Sequence, residues 1–225
     1  MNPRRICLIH TAPLMVQVFT PLCRERLPEV KVTQMINESM IKDTIEAGGV
    51  RQPTIDALET FAEASFKLGS ELVMVTCSSI GPAVDLIQGR FAKPVLRVDE
   101  PMAQAAVARG TRIGVAATLR TTLEPTSALL LRTAQEANKP VQLVECLCEG
   151  AFDAVIAGDT ETHDALVSKA MIERLADVDV IVLAQASMAR VAERLPPRAI
   201  GAPLLSSPAL AMDYLKERLA RLRPN

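Results

Sequence analysis

Short apolar segments of the chain recur in the same order at nearly one spacing. Ile6-Cys7-Leu8-Ile9-His10-Thr11 resembles Ile113-Gly114-Val115-Ala116-Ala117-Thr118, 107 positions on. Glu46-Ala47-Gly48 resembles Ile156-Ala157-Gly158 at 110 positions, and Leu72–Cys77 resembles Val180–Gln185 at 108. Pro94-Val95-Leu96 resembles Pro203-Leu204-Leu205 at 109. One such match is weak, because apolar strands look alike. Four in order argue for duplication, and a duplicated chain of 225 residues is long enough for two similar halves of small-domain size.

The repeated segments read as strands. Candidates are Ile6–His10, Lys31–Ile36, Leu72–Thr76, Pro94–Val98, Arg112–Ala116, Val141–Glu145, Val180–Ala184 and Pro203–Leu205. Several are apolar almost throughout, as strands covered on both faces should be. Between them, stretches such as Pro53–Leu68 and Thr162–Ala176 carry apolar residues at helical spacing. Alternating strand and helix predicts an α/β fold. Its two pseudo-symmetric lobes, 1–99 and 100–207, each hold a roughly four-stranded parallel sheet flanked by helices. A last helix over 208–225 is expected to pack back on the first lobe, and the active site is expected in the cleft between lobes. The segment Ser39–Gln52, with Gly48-Gly49, reads either as a mobile lid or as a plain connection.

Strand ends share a second regularity. His10-Thr11-Ala12-Pro13, Cys77-Ser78-Ser79-Ile80-Gly81-Pro82, Asp99-Glu100-Pro101 and Ser206-Ser207-Pro208 each offer a capping side chain followed by a proline suited to a first helical turn. Helix N-termini therefore collect at the carboxyl edge of the sheets, where open α/β sheets bind ligands. Free N–H groups there favour an anion, such as a carboxylate or a phosphate. Neither common Gly-rich phosphate loop is present, which lowers nucleotide binding.

Composition excludes other classes. Net charge is −1 without a Lys/Arg-rich run, and aromatics are 3% with no Trp, so no nucleic-acid partner is expected. No apolar run reaches membrane-span length, so no membrane partner is expected. No signal-peptide cleavage site follows the start, and a cytoplasmic location is the default expectation. The five cysteines, Cys7, Cys23, Cys77, Cys146 and Cys148, are odd in number in a chain neither short nor loop-rich, which argues against a disulfide framework. With two histidines and Cys146-Leu147-Cys148 off zinc spacing, no metal site is expected.

Cys77 stands out. It ends a strand and precedes a helix, a position that lowers a thiol's pKa and makes it a base or a nucleophile. His10 ends a strand on the same edge and is a candidate acid or base, or else a satisfied structural histidine. His163 lies in a polar stretch and is expected to be solvated. Cys7 is expected in the core. Cys146 and Cys148 share a face at strand spacing; Cys148 could reach the mouth, though core packing is expected. Arg120 follows a strand end of the second half and could fork a carboxylate. Asn37 and Glu38 follow another strand end and could border the cleft.

Val75-Thr76-Cys77-Ser78-Ser79, Ile113–Thr118, Val182-Leu183-Ala184-Gln185-Ala186-Ser187-Met188 and Ser206-Ser207-Pro208 together resemble the aspartate/glutamate/hydantoin racemase superfamily, over essentially the whole chain. The resemblance implies a cofactor-independent site between two lobes, a small carboxylic-acid substrate and a homodimer. It also implies one cysteine from each lobe, on opposite faces of the substrate. Cys77 matches the first-lobe cysteine. The second-lobe position is Gln185, and the internal repeat reaches the same residue independently. An amide carries no proton of useful pKa but can hydrogen-bond a carboxylate or enolate. Arylmalonate decarboxylases, in the same superfamily, keep one cysteine, but theirs matches the second lobe; maleate isomerases normally keep both.

Cys77, Gln185 and His10 are thus the expected catalytic residues. Expected substrate contacts are Thr11, Pro13, Ser78 and Ser79 from the first lobe. The second lobe adds Thr118, Arg120, Thr121, Ala186 and Ser187. Three readings stay open: a racemase or epimerase acting next to a carboxylate, a decarboxylase of a substituted malonate, and a small-acid-binding homologue without activity.

Overall fold

The computed structural model describes residues 3–195 and 199–222. The chain divides into two compact units, one of Met1–Glu100 with Pro208–Asn225, the other Pro101–Ser207. In the first unit β1 (Arg5–His10), α1 (Leu14–Arg26), β2 (Lys31–Ile36), α2 (Ser39–Glu46), α3 (Gln52–Lys67), β3 (Leu72–Val75), α4 (Gly81–Ile87) and β4 (Val95–Arg97) alternate as the hydrophobic runs predict. In the second come α5 (Glu100–Arg109), β5 (Arg112–Ala117), α6 (Arg120–Glu136), β6 (Gln142–Leu147), α7 (Ala151–Ile156), α8 (Thr160–Arg174), β7 (Val180–Leu183), α9 (Ala189–Arg194) and β8 (Leu204–Ser206). The chain ends in α10 (Ser207–Arg221).

Each unit holds one four-stranded parallel sheet, in the orders β2-β1-β3-β4 and β6-β5-β7-β8. All eight strands lie where the apolar runs place them, with ends shifted by one or two residues. Pro94 and Pro203 fall just outside β4 and β8. A proline has no N–H for a ladder, but its carbonyl still accepts: Val73 N–H bonds Pro94 at 3.0 Å and Ile181 N–H bonds Pro203 at 2.9 Å.

Covering on both faces explains the unbroken apolar runs of the central strands. In the first unit Ile6, Leu8, Leu72 and Met74 face Phe19 of α1 and Ala211, Met212, Leu215 and Leu219 of α10. Cys7, Ile9, Val73 and Val75 face Met40 of α2, Ile55, Leu58 and Ala62 of α3, and Val84 of α4. The alternation is the period-2 pleat, and each large aliphatic side chain contributes about 1.5–3 kcal/mol by leaving water. The edge strand β2 has no fully buried residue; Val32 packs half-buried on one face and Met35 on the other. In the second unit Ala116, Cys146, Ile181 and Leu183 pack with Ala151 of α7, Val167 and Met171 of α8, and Val191 of α9.

Three expectations need correction. The residues before α1 and α4 do not cap them with side chains: Pro13 and Ile80 hold those positions without a side-chain hydrogen bond. Thr11 and Ser79 turn to the Cys77 sulfur instead. The side-chain N-cap recorded among the described helices is Asp159 on α8, which accepts from Thr162 N–H at 3.0 Å. Second, His163 is not solvated. It is fully buried in the first turn of α8, with Nδ1 2.8 Å from Asp164 Oδ1. Asp164 in turn accepts from Arg190 at 2.8 and 2.9 Å and from Arg194 at 3.1 Å, so carboxylate and guanidinium groups carry the ring into the interior. Third, residues 39–52 are not a bare connection: α2 buries Met40 and Thr44, and Gly48 turns towards α3 at φ +66°, a left-handed conformation that suits glycine. No helix among the described residues is long and apolar enough to cross a membrane.

Candidate active site

In each sheet the chain leaves its first strand outward and returns on that strand's other side. The order reverses between β1 and β3, and again between β5 and β7. Such a reversal opens a crevice at the carboxyl ends of the two strands, the usual ligand position of open α/β sheets. Thr11 follows β1 and Cys77 lies two residues beyond β3, so both flank the first reversal. Thr118 follows β5 and Gln185 lies two residues beyond β7, so both flank the second.

At the first edge Cys77 is extended, then a 3-10 turn over Ser78–Ile80 leads into α4. Of the five cysteines only Cys77 is not buried. Burial of its sulfur still pushes the thiol above the ordinary value of 9.0, against hydrogen bonds from the Thr11 hydroxyl, the N–H groups of Ile80 and Ser79, and the Ser79 hydroxyl. This reverses the lowered pKa expected of a helix start. Desolvation of a thiolate exceeds what these donors return. Thr11, Ser78 and Ser79 are buried, and Pro13 is exposed at the start of α1.

His10 ends β1 but has no free nitrogen. It is fully buried, with Nδ1 2.6 Å from Thr76 Oγ1 and Nε2 2.9 Å from Gln34 Oε1. In the neutral ring one nitrogen donates and the other accepts, and the Thr76 hydroxyl also reaches the Ile9 carbonyl at 3.2 Å. Burial lowers the His10 pKa, which favours that neutral form. Of the two readings open for His10, these contacts favour the structural one, a ring that ties β1 to β2 and to the residue after β3. Asn37 is likewise engaged, its Oδ1 accepting from the Ser39 N–H at 3.0 Å and hydroxyl at 2.7 Å, and Glu38 stands 3.8 Å from Lys42.

At the second edge Gln185 is fastened to Thr118. Thr118 N–H donates to Gln185 Oε1 at 2.6 Å, and Gln185 Nε2 donates to Thr118 Oγ1 at 2.8 Å. A backbone N–H can only donate, so the amide oxygen faces it and the amide's orientation is fixed. Ala186 and Ser187 follow in a half-buried 3-10 turn. The Thr121 hydroxyl, in the first turn of α6, is buried and unpartnered among the described residues. Arg120 does not turn inward: its side chain is 72% exposed and lies 4.0 Å from Glu124. Cys146 and Cys148 are buried in the core.

Sequence reasoning missed one buried charge network on the first edge. Arg97, at the end of β4, is 4% exposed and pairs with Asp99 at 2.9 and 3.0 Å and with Asp85 of α4 at 2.6 Å. A lone arginine in an apolar strand gives no sign of its partners until β3 and β4 are paired. Among the described residues no three His, Cys, Asp or Glu side chains gather as metal ligands would.

A family profile described as Asp/Glu/hydantoin racemase matches residues 9–215. No curated protein matches the sequence. Similar solved structures include the glutamate racemase from Francisella tularensis subsp. tularensis SCHU S4 in complex with D-glutamate, at 16% identity and TM-score 0.74, covering 98% of this chain and 82% of that one. The allantoin racemase from Klebsiella pneumoniae has 16% identity and TM-score 0.71, covering 96% and 88%. The Picrophilus torridus aspartate racemase has 13% identity and TM-score 0.70, covering 98% and 96%. At these identities the likeness is one of fold.

Proposed function

The chain belongs to the Asp/Glu/hydantoin racemase family, and from that premise we propose that it moves a proton on the carbon next to a carboxylate, without a cofactor, with Cys77 as its only catalytic thiol. The observation that carries this is the place of Cys77: the one cysteine not buried, at the strand-order reversal, with its sulfur contacted by Thr11, Ser79 and Ile80. As thiolate it takes the α-proton and leaves an enediolate; as thiol it returns one. Thr11 and Ser79 supply polar groups beside the sulfur and Ser78 follows it in the chain, while Thr118, Thr121 and Ser187 supply polar groups at the second edge. The free N–H groups at the start of α6 suit a carboxylate.

One observation favours a second reading within the same chemistry. Gln185 holds the second cysteine's place with its amide tied to Thr118, and an amide does not carry protons near neutral pH. Proton delivery from one face suffices for decarboxylation of a substituted malonate. The bond to the departing carbon dioxide breaks, the enediolate remains, and the Cys77 thiol protonates it; the thiolate then recovers a proton from water. A raised Cys77 pKa keeps the resting sulfur in the acid form this step uses.

The test is a proton-NMR panel of α-amino, α-hydroxy, hydantoin-type and substituted malonic acids, run with wild type and Cys77→Ser. Loss of the α-proton signal in heavy water marks the first reaction, and carbon dioxide release the second. Either must vanish in Cys77→Ser. Turnover that survives the substitution removes Cys77 from the chemistry.

A further inference from the structure

The two edges differ in more than the thiol. In the first unit Arg97 sits so close to Gly81 that a Cβ there would lie 2.4 Å from the guanidinium carbon. Real side-chain carbons do not come that close, so a larger residue at position 81 would force the Arg97 guanidinium out of its place between Asp99 and Asp85. Arg97 grips Asp99 with Nε and Nη2, and Nη1 reaches Asp85 one turn into α4. The pairing therefore fastens the end of β4 to the start of α4. The 3-10 turn whose N–H groups meet the Cys77 sulfur runs straight into that start.

The second unit lacks the device. The register Val75↔Arg97 in the first sheet corresponds to Leu183↔Ser206 in the second, so Ser206 stands where Arg97 would. Ala189 stands where Gly81 would, at the same 108-residue spacing as Cys77 and Gln185. The glycine, the arginine and the thiol occur together in one half and are absent together from the other.

We infer that Arg97, seated against Gly81 and paired with Asp85 and Asp99, is a positioning residue for Cys77. It holds the Ser78–Ile80 turn so that its N–H groups stay aimed at the sulfur. Burying Arg97 and Asp99 is costly unless each is paired, and a carboxylate–guanidinium fork fixes direction as well as charge. The inference rests on the reading of Cys77 as the catalytic thiol, but its test needs no substrate.

The test is the rate of Cys77 alkylation by iodoacetamide, followed by mass spectrometry across pH, in wild type, Gly81→Ala, Asp85→Ala and the second-unit control Ala189→Gly. Thermal unfolding is recorded on the same samples. The ionisable groups near Cys77 at these strand and helix ends are His10, Arg97, Asp99 and Asp85; Lys42 and Asp43 of α2 are exposed. The first two variants are expected to move the alkylation midpoint upward and to slow the reaction about threefold or more at slightly alkaline pH, as fewer donors face the thiolate. Ala189→Gly should leave the profile unchanged. Asp85 is the part-exposed end of the network, so Asp85→Ala gives the answer even where Gly81→Ala does not fold. An unchanged midpoint in Asp85→Ala, or faster alkylation from a merely loosened turn, overturns the inference. Because only the thiol is read, this outcome is separate from whether Cys77→Ser abolishes turnover.

Discussion

Gln185 and Thr118 form a closed pair, with the Thr118 N–H held 2.6 Å from the amide oxygen and the Thr118 hydroxyl 2.8 Å from the amide nitrogen. Thr11 takes the corresponding place beside Cys77, where its hydroxyl meets the sulfur. A threonine thus stands beside each of the two corresponding positions. Gln185→Cys is therefore expected to restore the thiol beside a ready hydroxyl donor. Once a substrate is found, the variant should raise inversion of configuration relative to α-proton exchange, measured together by chiral chromatography and NMR. An unchanged ratio would mean that position 185 does not face the reacting carbon.

Burial orders the thiols. Cys7, Cys23, Cys146 and Cys148 are buried, and burial pushes Cys23 up to about 11. Low-dose iodoacetamide near neutral pH should label Cys77 first and leave the others intact until denaturant is added. Earlier labelling of Cys23 or Cys148 in the folded protein would contradict the packing described.

Asp164 provides a pH test of the second unit. Burial pushes its carboxyl up, but Arg190 and then His163 outweigh this and hold it below the ordinary 3.8. A carboxyl with a depressed folded pKa adds stability above its unfolded value and loses it as pH falls through the folded one. Asp164→Asn should therefore cost about 1.5–3 kcal/mol at neutral pH, the worth of hydrogen bonds to a charged group, and much less in strong acid. Urea unfolding at both pH values measures this. An equal loss at both would show that the carboxylate's charge is not what holds Arg190.

The fold was readable because both sheets are parallel and covered on both faces, which leaves runs such as Leu72–Val75 and Val180–Leu183 without a polar break. Cys77 and Gln185 were readable because they follow those runs directly. What the sequence hid was pairing across strands and helices. His10 reads equally as a proton carrier or a structural histidine until β2 supplies Gln34 and the residue after β3 supplies Thr76. His163 reads as solvated until α9 brings Arg190 to Asp164. The direction of the Cys77 pKa was misread for a related reason: a helix start is visible in sequence, whereas the packing that desolvates the sulfur is not.

The central claim is that one thiol, Cys77, moves the proton. Its most direct test is the configuration of product formed in heavy water. With a substrate from the acid panel, wild type is expected to incorporate deuterium at the α-carbon from one face. An exchanged substrate would retain its configuration, or a decarboxylated product would form as a single labelled enantiomer. Cys77→Ser should do neither. Rapid inversion in both directions, with deuterium in the inverted product, or incorporation that persists in Cys77→Ser, would contradict the account.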